Sequence, residues 1–299
     1  MRTYQMNIRE AALLDLRFRR GKLLEALSCP PGTETPREKF ASSIFPPVRS
    51  PSPSAWGTQG HVFCFKAGGL VPYDSLVERN FYVLMEWDYT IDTFVAQPFK
   101  IPYSRPNGRI AHYTPDCFCI SYSVLEAQSP RYAPTAYEIK TKKELEEDWP
   151  ALKPKLRAAR SFLSESGFRF RLLTEDRINP VFLENIEFLL GFRGPRFMLR
   201  TKHEGQIIKA IMEVVKDLND GDFTPRFLLE KVSGLAAREH LIPWVWNLYA
   251  DYVLQCDLLK PLTLDTVSWR VGDSGESMQN CGALCYRADW RRPENDWRR

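Results

Sequence analysis

Between residues 74 and 175 the hydrophobic pattern switches repeatedly between the three-to-four-residue period of a helix and the two-residue period of a strand. Val77, Phe81 and Leu84, with Asp88 just beyond, share one helical face, predicting a helix over 74–87 with Asp74 or Ser75 as its N-cap. Alternating runs then predict strands at about 93–103, 109–114 and 116–122. Asn107-Gly108, a pair favoured in tight hairpins, lies between the first two. A further strand, Thr135 to Lys140, precedes a helix over about 151–166 that stops at Gly167, a residue suited to a left-handed C′ position. Phe168, Phe170 and Leu172 alternate with arginines and predict one more strand. Helix, three strands, strand, helix, strand is the order of an α/β layer architecture.

The flanks read differently. Residues 7–27 have a helical pattern with a basic end (Arg17, Arg19, Arg20, Lys22), closed by Pro30, Pro31 and Gly32. Residues 46–57 read PPVRSPSPSAWG, a linker composition. Beyond Leu190, helical patterns near 203–219, 224–233 and 236–250 precede two short extended runs, 251–259 and 263–271, the order of a winged helix. Residues 272–299 lack apolar periodicity and repeat Asp289-Trp290-Arg291-Arg292 as Asp296-Trp297-Arg298-Arg299, a tail expected to order on binding a partner. The expected organisation is therefore an extension (1–47), an α/β domain (48–178), a linker (179–202), a winged-helix-like domain (203–271) and a basic tail (272–299).

Composition narrows the class. The chain has 299 residues with 44% hydrophobic and 13% aromatic content, enough for two cores. With 41 Lys and Arg against 37 Asp and Glu, a net charge of +4 permits a nucleic-acid partner without demanding one. Seven cysteines, an odd number with no leader before them, argue against a secreted disulfide framework and for reduced thiols in a cytoplasm. Cys117 with Cys119, or Cys281 with Cys285, lacks the second pair that a zinc site needs. No apolar run has the length of a membrane span.

The candidate chemistry lies in the α/β stretch. Hydrolysis of a phosphodiester needs an activated water and neutralisation of phosphate charge, which Mg²⁺ held by carboxylates supplies. Thr114-Pro115-Asp116 followed by Glu138-Ile139-Lys140 matches the PD then (D/E)xK pattern of metal-dependent nucleases. Strand alternation sets Glu138 and Lys140 on one face, a metal ligand beside a water-orienting ammonium, while Tyr137 and Ile139 face the core. Asp116 begins a neighbouring strand after a proline, and Glu78 on the preceding helix is the fourth member. Taken singly each has a structural reading: a turn aspartate, and the capping box Ser75-x-x-Glu78. Their order along the chain is what points to a nuclease core.

The residues also carry a resemblance. The run Val71-Pro72-Tyr73-Asp74-Ser75-Leu76-Val77-Glu78-Arg79-Asn80-Phe81 resembles the active-site helix region of TnsA proteins. Gln97-Pro98, Tyr113-Thr114-Pro115-Asp116, Tyr137-Glu138-Ile139-Lys140 and Phe170-Arg171-Leu172-Leu173-Thr174-Glu175 follow in the family's order. The likeness spans about residues 48–178. It implies a restriction-endonuclease-like mixed sheet flanked by helices and a Mg²⁺-dependent endonuclease, with Mn²⁺ able to substitute. It also implies cleavage of the 5′ strands of double-stranded DNA at transposon ends, beside a TnsB-like DDE transposase and a TnsC-like AAA+ ATPase. Glu78, Asp116, Glu138 and Lys140 would be catalytic, the three acids as metal ligands, where some family members have Gln at the position of Glu138. Gln97 is a candidate for supporting the site or contacting DNA. Trp244, Trp246, Trp290 and Trp297 are candidates for partner contacts. A free-standing restriction or repair nuclease and an inactive DNA-binding or assembly module are the competing readings.

Overall fold

Ser75 starts the helix that the periodicity predicts: its Oγ accepts from the Glu78 amide, and the helix runs Leu76–Trp87 (α1). The computed structural model describes residues 58–270 apart from 106, 122–133, 166, 194–200, 217, 219–220 and 222. The expected N-terminal helix, the 46–57 linker, and the tail with Trp290 and Trp297 lie outside the described residues. The chain divides into two units, with the boundary between Asp176 and Arg177.

In the first unit, a hairpin absent from the sequence-based expectation precedes α1. Gly60–Cys64 (β1) pairs antiparallel with Gly69–Tyr73 (β2), and the turn between them uses Gly68 at φ 82°. After α1 come Ile91–Ala96 (β3), Ile101–Ser104 (β4), Ile110–Tyr113 (β5), Cys117–Ser121 (β6) and Thr135–Ile139 (β7). Lys142–Glu165 (α2) and Arg169–Leu173 (β8) complete the unit's regular elements.

The main sheet has the order β3-β6-β7-β8: the first three strands pair antiparallel, while β7 and β8 run parallel with α2 as their crossover. Phe81, Tyr82, Phe94, Phe118 and Ile139 are among its buried side chains, and Tyr82 stacks on Phe94 with centroids 5.8 Å apart. This is a mixed sheet with flanking helices, as expected.

Two boundaries differ from the sequence pattern. The run 93–103 is two strands, because Gln97 adopts φ 48° before Pro98 and turns the chain out of the main sheet. β4 then pairs with β5 as a separate hairpin over Gly108 at φ 77°. Helix α2 begins at Lys142, nine residues before the expected start at 151. A reciprocal cap, Thr141 Oγ1 to the Glu144 amide and the Thr141 amide to Glu144 Oε2, launches a charged first segment. The buried stripe Leu152, Leu156, Ala159 and Leu163 begins only later, so periodicity reveals only that part. At its end the Gly167 amide bonds to Ser164 O and the Phe168 amide to Leu163 O, the paired bonds of a Schellman motif, with Gly167 at φ 73°.

In the second unit, residues 179–202, expected as a linker, contain the helix Pro180–Leu190 (α3), capped by Asn179 with proline in its first turn. Its Asn185 is buried and joins the chain's later course: Nδ2 donates to Leu258 O and Lys260 O, and Oδ1 accepts from the Leu262 amide. Lys202–Lys216 (α4), Pro225–Lys231 (α5) and Arg238–Ala250 (α6) follow close to their expected spans. Leu254–Cys256 (β9) and Ser268–Arg270 (β10) then form an antiparallel pair.

Trp244 and Trp246, expected on a partner-facing surface, are each 5% exposed. Trp246 packs edge-on against Phe188 of α3 at 5.2 Å and lies 5.5 Å from Tyr249, so its indole serves the core.

Candidate active site

Where β5, β6 and β7 meet, backbone pairing brings the acids and lysine of the motif together. The Asp116 amide donates to Tyr137 O, aligning the start of β6 with β7. The Ile139 amide in turn donates to Asp116 Oδ2 at 2.7 Å. Asp116 is thus held from both sides by β7, the strand that carries Glu138. Its Oδ1 has no hydrogen-bond partner among the described residues.

Lys140 closes the site. Its Nζ lies 3.6 Å from Asp116 Oδ2 and 3.5 Å from Glu138 Oε1, and donates to Ile139 O at 2.9 Å. Three oxygens from two strands therefore surround one cationic centre. Glu138 is 2% exposed, and its other oxygen, Oε2, accepts from the Tyr113 hydroxyl at 2.6 Å. Two groups that the motif does not name belong here: Tyr113, and Lys155 of α2, whose Nζ is 3.7 Å from Glu138 Oε1. The one trace of Lys155 in the sequence is its place among Leu152, Leu156 and Ala159 on the buried face of α2, which shows only once the helix register is known, since the segment around it is rich in charge.

Glu78 is near enough for its charge to act on Lys140 and Asp116, and its oxygens also accept hydrogen bonds at the start of α1. Oε2 accepts from the Asp74 amide at 3.0 Å, and Oε1 accepts from Ser75 Oγ at 3.3 Å, so the capping box engages both oxygens. Gln97 is buried, at 5% exposure, beside the start of β6. Its amide donates to Asp116 O and its Nε2 to Asp74 Oδ2 at 3.4 Å, while its Oε1 is buried without a partner.

The electrostatics follow from burial and crowding. Burial, then the Glu138 carboxylate, raises the Asp116 pKa well above its ordinary value, against the opposing pull of Lys140 and the Ile139 amide. Glu78 is also raised, chiefly by burial, with the Asp74 amide and Lys140 opposing. For Lys140, burial acts to lower the pKa, but Asp116 and Glu138, with Glu144 and Glu78, outweigh it and hold the ammonium above its ordinary value. Burial and the accepting Glu138 push the Tyr113 phenol well up, so it stays a donor.

Among the described residues, no three Asp, Glu, His or Cys side chains gather into a set that holds a metal. The donors that do converge are Asp116, Glu138 and the Ile139 carbonyl, all oxygens, around a point where the ammonium of Lys140 stands. That donor set suits a hard divalent cation once Lys140 moves aside.

A mixed sheet with flanking helices, carrying an aspartate at one strand start and Glu-x-Lys on the next strand, is consistent with a PD-(D/E)xK-like fold. Residues 88–175 match the family model described as TnsA-like endonuclease N terminal, so the chain carries a TnsA-like N-terminal endonuclease domain. The match includes Asp116, Glu138 and Lys140 and begins after Glu78. No curated protein matches the chain. Among the described residues, no helix is long and apolar enough to cross a membrane.

Proposed function

We propose that this protein is the endonuclease subunit of a two-protein transposase. In this reading it hydrolyses the 5′-ended strands at transposon ends, beside a TnsB-like DDE transposase and a TnsC-like AAA+ ATPase. The observation that carries the reading is the convergence of Asp116, Glu138 and Lys140 within the TnsA-like domain.

Asp116, Glu138 and the Ile139 carbonyl would hold Mg²⁺, or Mn²⁺ in its place, and Glu78 would add negative charge from α1. The bound cation would neutralise phosphate charge and make its water more acidic. Asp116, fixed by the Ile139 amide, keeps its place beside Glu138 where the two central strands of the sheet begin and end. Lys140, displaced from its carboxylates, steadies the attacking water and the charge developing on phosphorus. The oxygen of one water bonds to phosphorus as that water gives up a proton, one ester P–O bond breaks, and the departing sugar oxygen takes up a proton in its place.

The second unit, with α4, α5 and α6 followed by the β9–β10 pair, is read as winged-helix-like. Since Trp244 and Trp246 are buried, partner contacts are assigned to other surfaces and to the tail of residues 272–299.

The test is the structure of insertion products in a reconstituted system. Asp116→Ala and Lys140→Ala should leave 3′-end joining by the partner intact and abolish 5′-strand cleavage, converting simple insertions into cointegrates. Lys140→Ala should keep metal binding, and Asp116→Ala should lose it. Simple insertions from both variants would mean that these residues are structural. Efficient site-specific cleavage by the isolated chain would favour a free-standing nuclease.

A further inference from the structure

We propose that Lys155 is a second substrate-binding cation of this site, contacting a phosphate of the DNA backbone beside the bond that is cut. The inference rests on the endonuclease reading and extends it to a residue outside the motif.

Lys155 rises from the middle of α2, and its Nζ reaches the same Glu138 oxygen that faces Lys140, at 3.7 Å and 3.5 Å respectively. The ammonium also lies 5.4 Å from the centroid of the Tyr113 ring. Its side chain is 26% exposed, against 21% for Lys140 and 2% for Glu138, so both lysines reach a buried carboxylate from partly exposed positions. Neither is a surface ion pair.

Charge balance gives the second lysine its role. Without metal, the two carboxylates that touch these ammoniums, Asp116 and Glu138, set two negative charges against the two positive charges of Lys140 and Lys155, with Glu78 adding negative charge at longer range. A divalent cation on the carboxylates adds two positive charges and takes the oxygen that both ammoniums share. A partly buried ammonium deprived of its anion is costly, so each must find another. Substrate supplies it: the phosphodiester brings one negative charge, and attack on phosphorus develops a second. Two lysines on flexible stems, presented from β7 and α2, can follow that charge from carboxylate to phosphate.

The test is DNA binding by the full chain, measured by fluorescence anisotropy on a linear duplex with Ca²⁺ in place of Mg²⁺ across a KCl series. Lys155→Ala and Lys155→Gln should weaken binding at low salt about tenfold, equally for different sequences. They should also make the plot of log K against log salt shallower by about 0.9, the value of one lost phosphate contact. Lys155→Arg should restore both. Binding of Mn²⁺ without DNA should hold or tighten in Lys155→Gln, because a competing positive charge is gone.

An unchanged salt slope with weaker Mn²⁺ binding would reduce Lys155 to a support for Glu138 and overturn the proposal. So would a wild-type chain that does not bind DNA at low salt, whatever the insertion assay says of Asp116. Conversely, a shifted slope in Lys155→Gln together with simple insertions from Asp116→Ala would keep the phosphate contact and remove the endonuclease reading.

Discussion

The hydroxyl of Tyr113, at the end of β5, donates to Oε2 of the buried Glu138 on β7 at 2.6 Å, leaving Oε1 as the oxygen that faces the lysines. The carboxylate orientation is thus set by a residue of a different strand pair.

Tyr113→Phe tests that control. The ring remains, but a buried carboxylate oxygen loses its donor, which costs about 1–3 kcal/mol of stability. Freed from its partner, Glu138 should hold the cation less well, and Mg²⁺ affinity should fall on the order of tenfold. Calorimetric titration of the metal and urea unfolding measure the two effects. Wild-type affinity in a destabilised variant would show that Tyr113 supports the fold alone.

The charge crowding predicts a pH signature. Asp116 in the folded chain has a pKa well above its ordinary 3.8, from burial and the nearby Glu138, so the folded state binds that proton more tightly than the unfolded state does. Stability must therefore fall as pH rises from the ordinary value through the raised one. Lys140 stays protonated in this window, since its carboxylate neighbours hold it above its ordinary 10.5. Metal-free wild type should lose thermal stability as pH rises above the ordinary carboxylate value more steeply than Asp116→Asn, which has no such charge to bury. Saturating Mg²⁺ should recover most of the loss at the upper end, because it binds the ionised carboxylates. Parallel pH profiles for the two proteins would remove Asp116 as the source.

Much of this was legible in the sequence, for reasons that particular residues make clear. Ser75 and Glu78 announced α1 through their capping spacing, and Asn107-Gly108 announced the β4–β5 hairpin. Glu138 and Lys140 could be placed together because strand alternation is rigid. What escaped depends on contacts distant in sequence. Asp116 is fixed by the amide of Ile139, 23 positions away, and no local pattern encodes that bond. The break at Gln97 was hidden because the apolar run continues through it, and Lys155 because a single cation in a charged helix looks solvated.

Trp246 shows the opposite error, since an aromatic-rich helix was read as an interface. Its contacts with Phe188 and Tyr249 make it core, so Trp246→Ala should destabilise the protein by about 3–5 kcal/mol. Amide exchange should speed first along α3 and α6. Any loss of partner binding should track unfolding and recover at lower temperature. A variant of wild-type stability that fails to bind partners would return Trp246 to an interface.

The last prediction concerns Gln97, whose backbone is left-handed at φ 48° although it is 5% exposed and is not glycine. Such a conformation costs about 1–2 kcal/mol and persists only where its surroundings impose it. Here the constraint is visible: the Gln97 amide is bound to Asp116 O and the side chain to Asp74, whose own amide meets Glu78 and whose Oδ1 accepts from Gln59 at 3.0 Å. Gln97 therefore links the turn before β4 to both Asp116 and the residues that open α1. Gln97→Gly relieves the backbone and Gln97→Ala does not, while both lose the bond to Asp74. The glycine variant should be more stable than the alanine variant by about 1 kcal/mol in urea unfolding. Cleavage should nevertheless fall in both by about tenfold, since Asp74, whose amide holds Glu78, loses its side-chain link to the turn that is bonded to Asp116. Wild-type cleavage by Gln97→Gly would show that the strained turn serves chain direction alone, with no part in holding the acids.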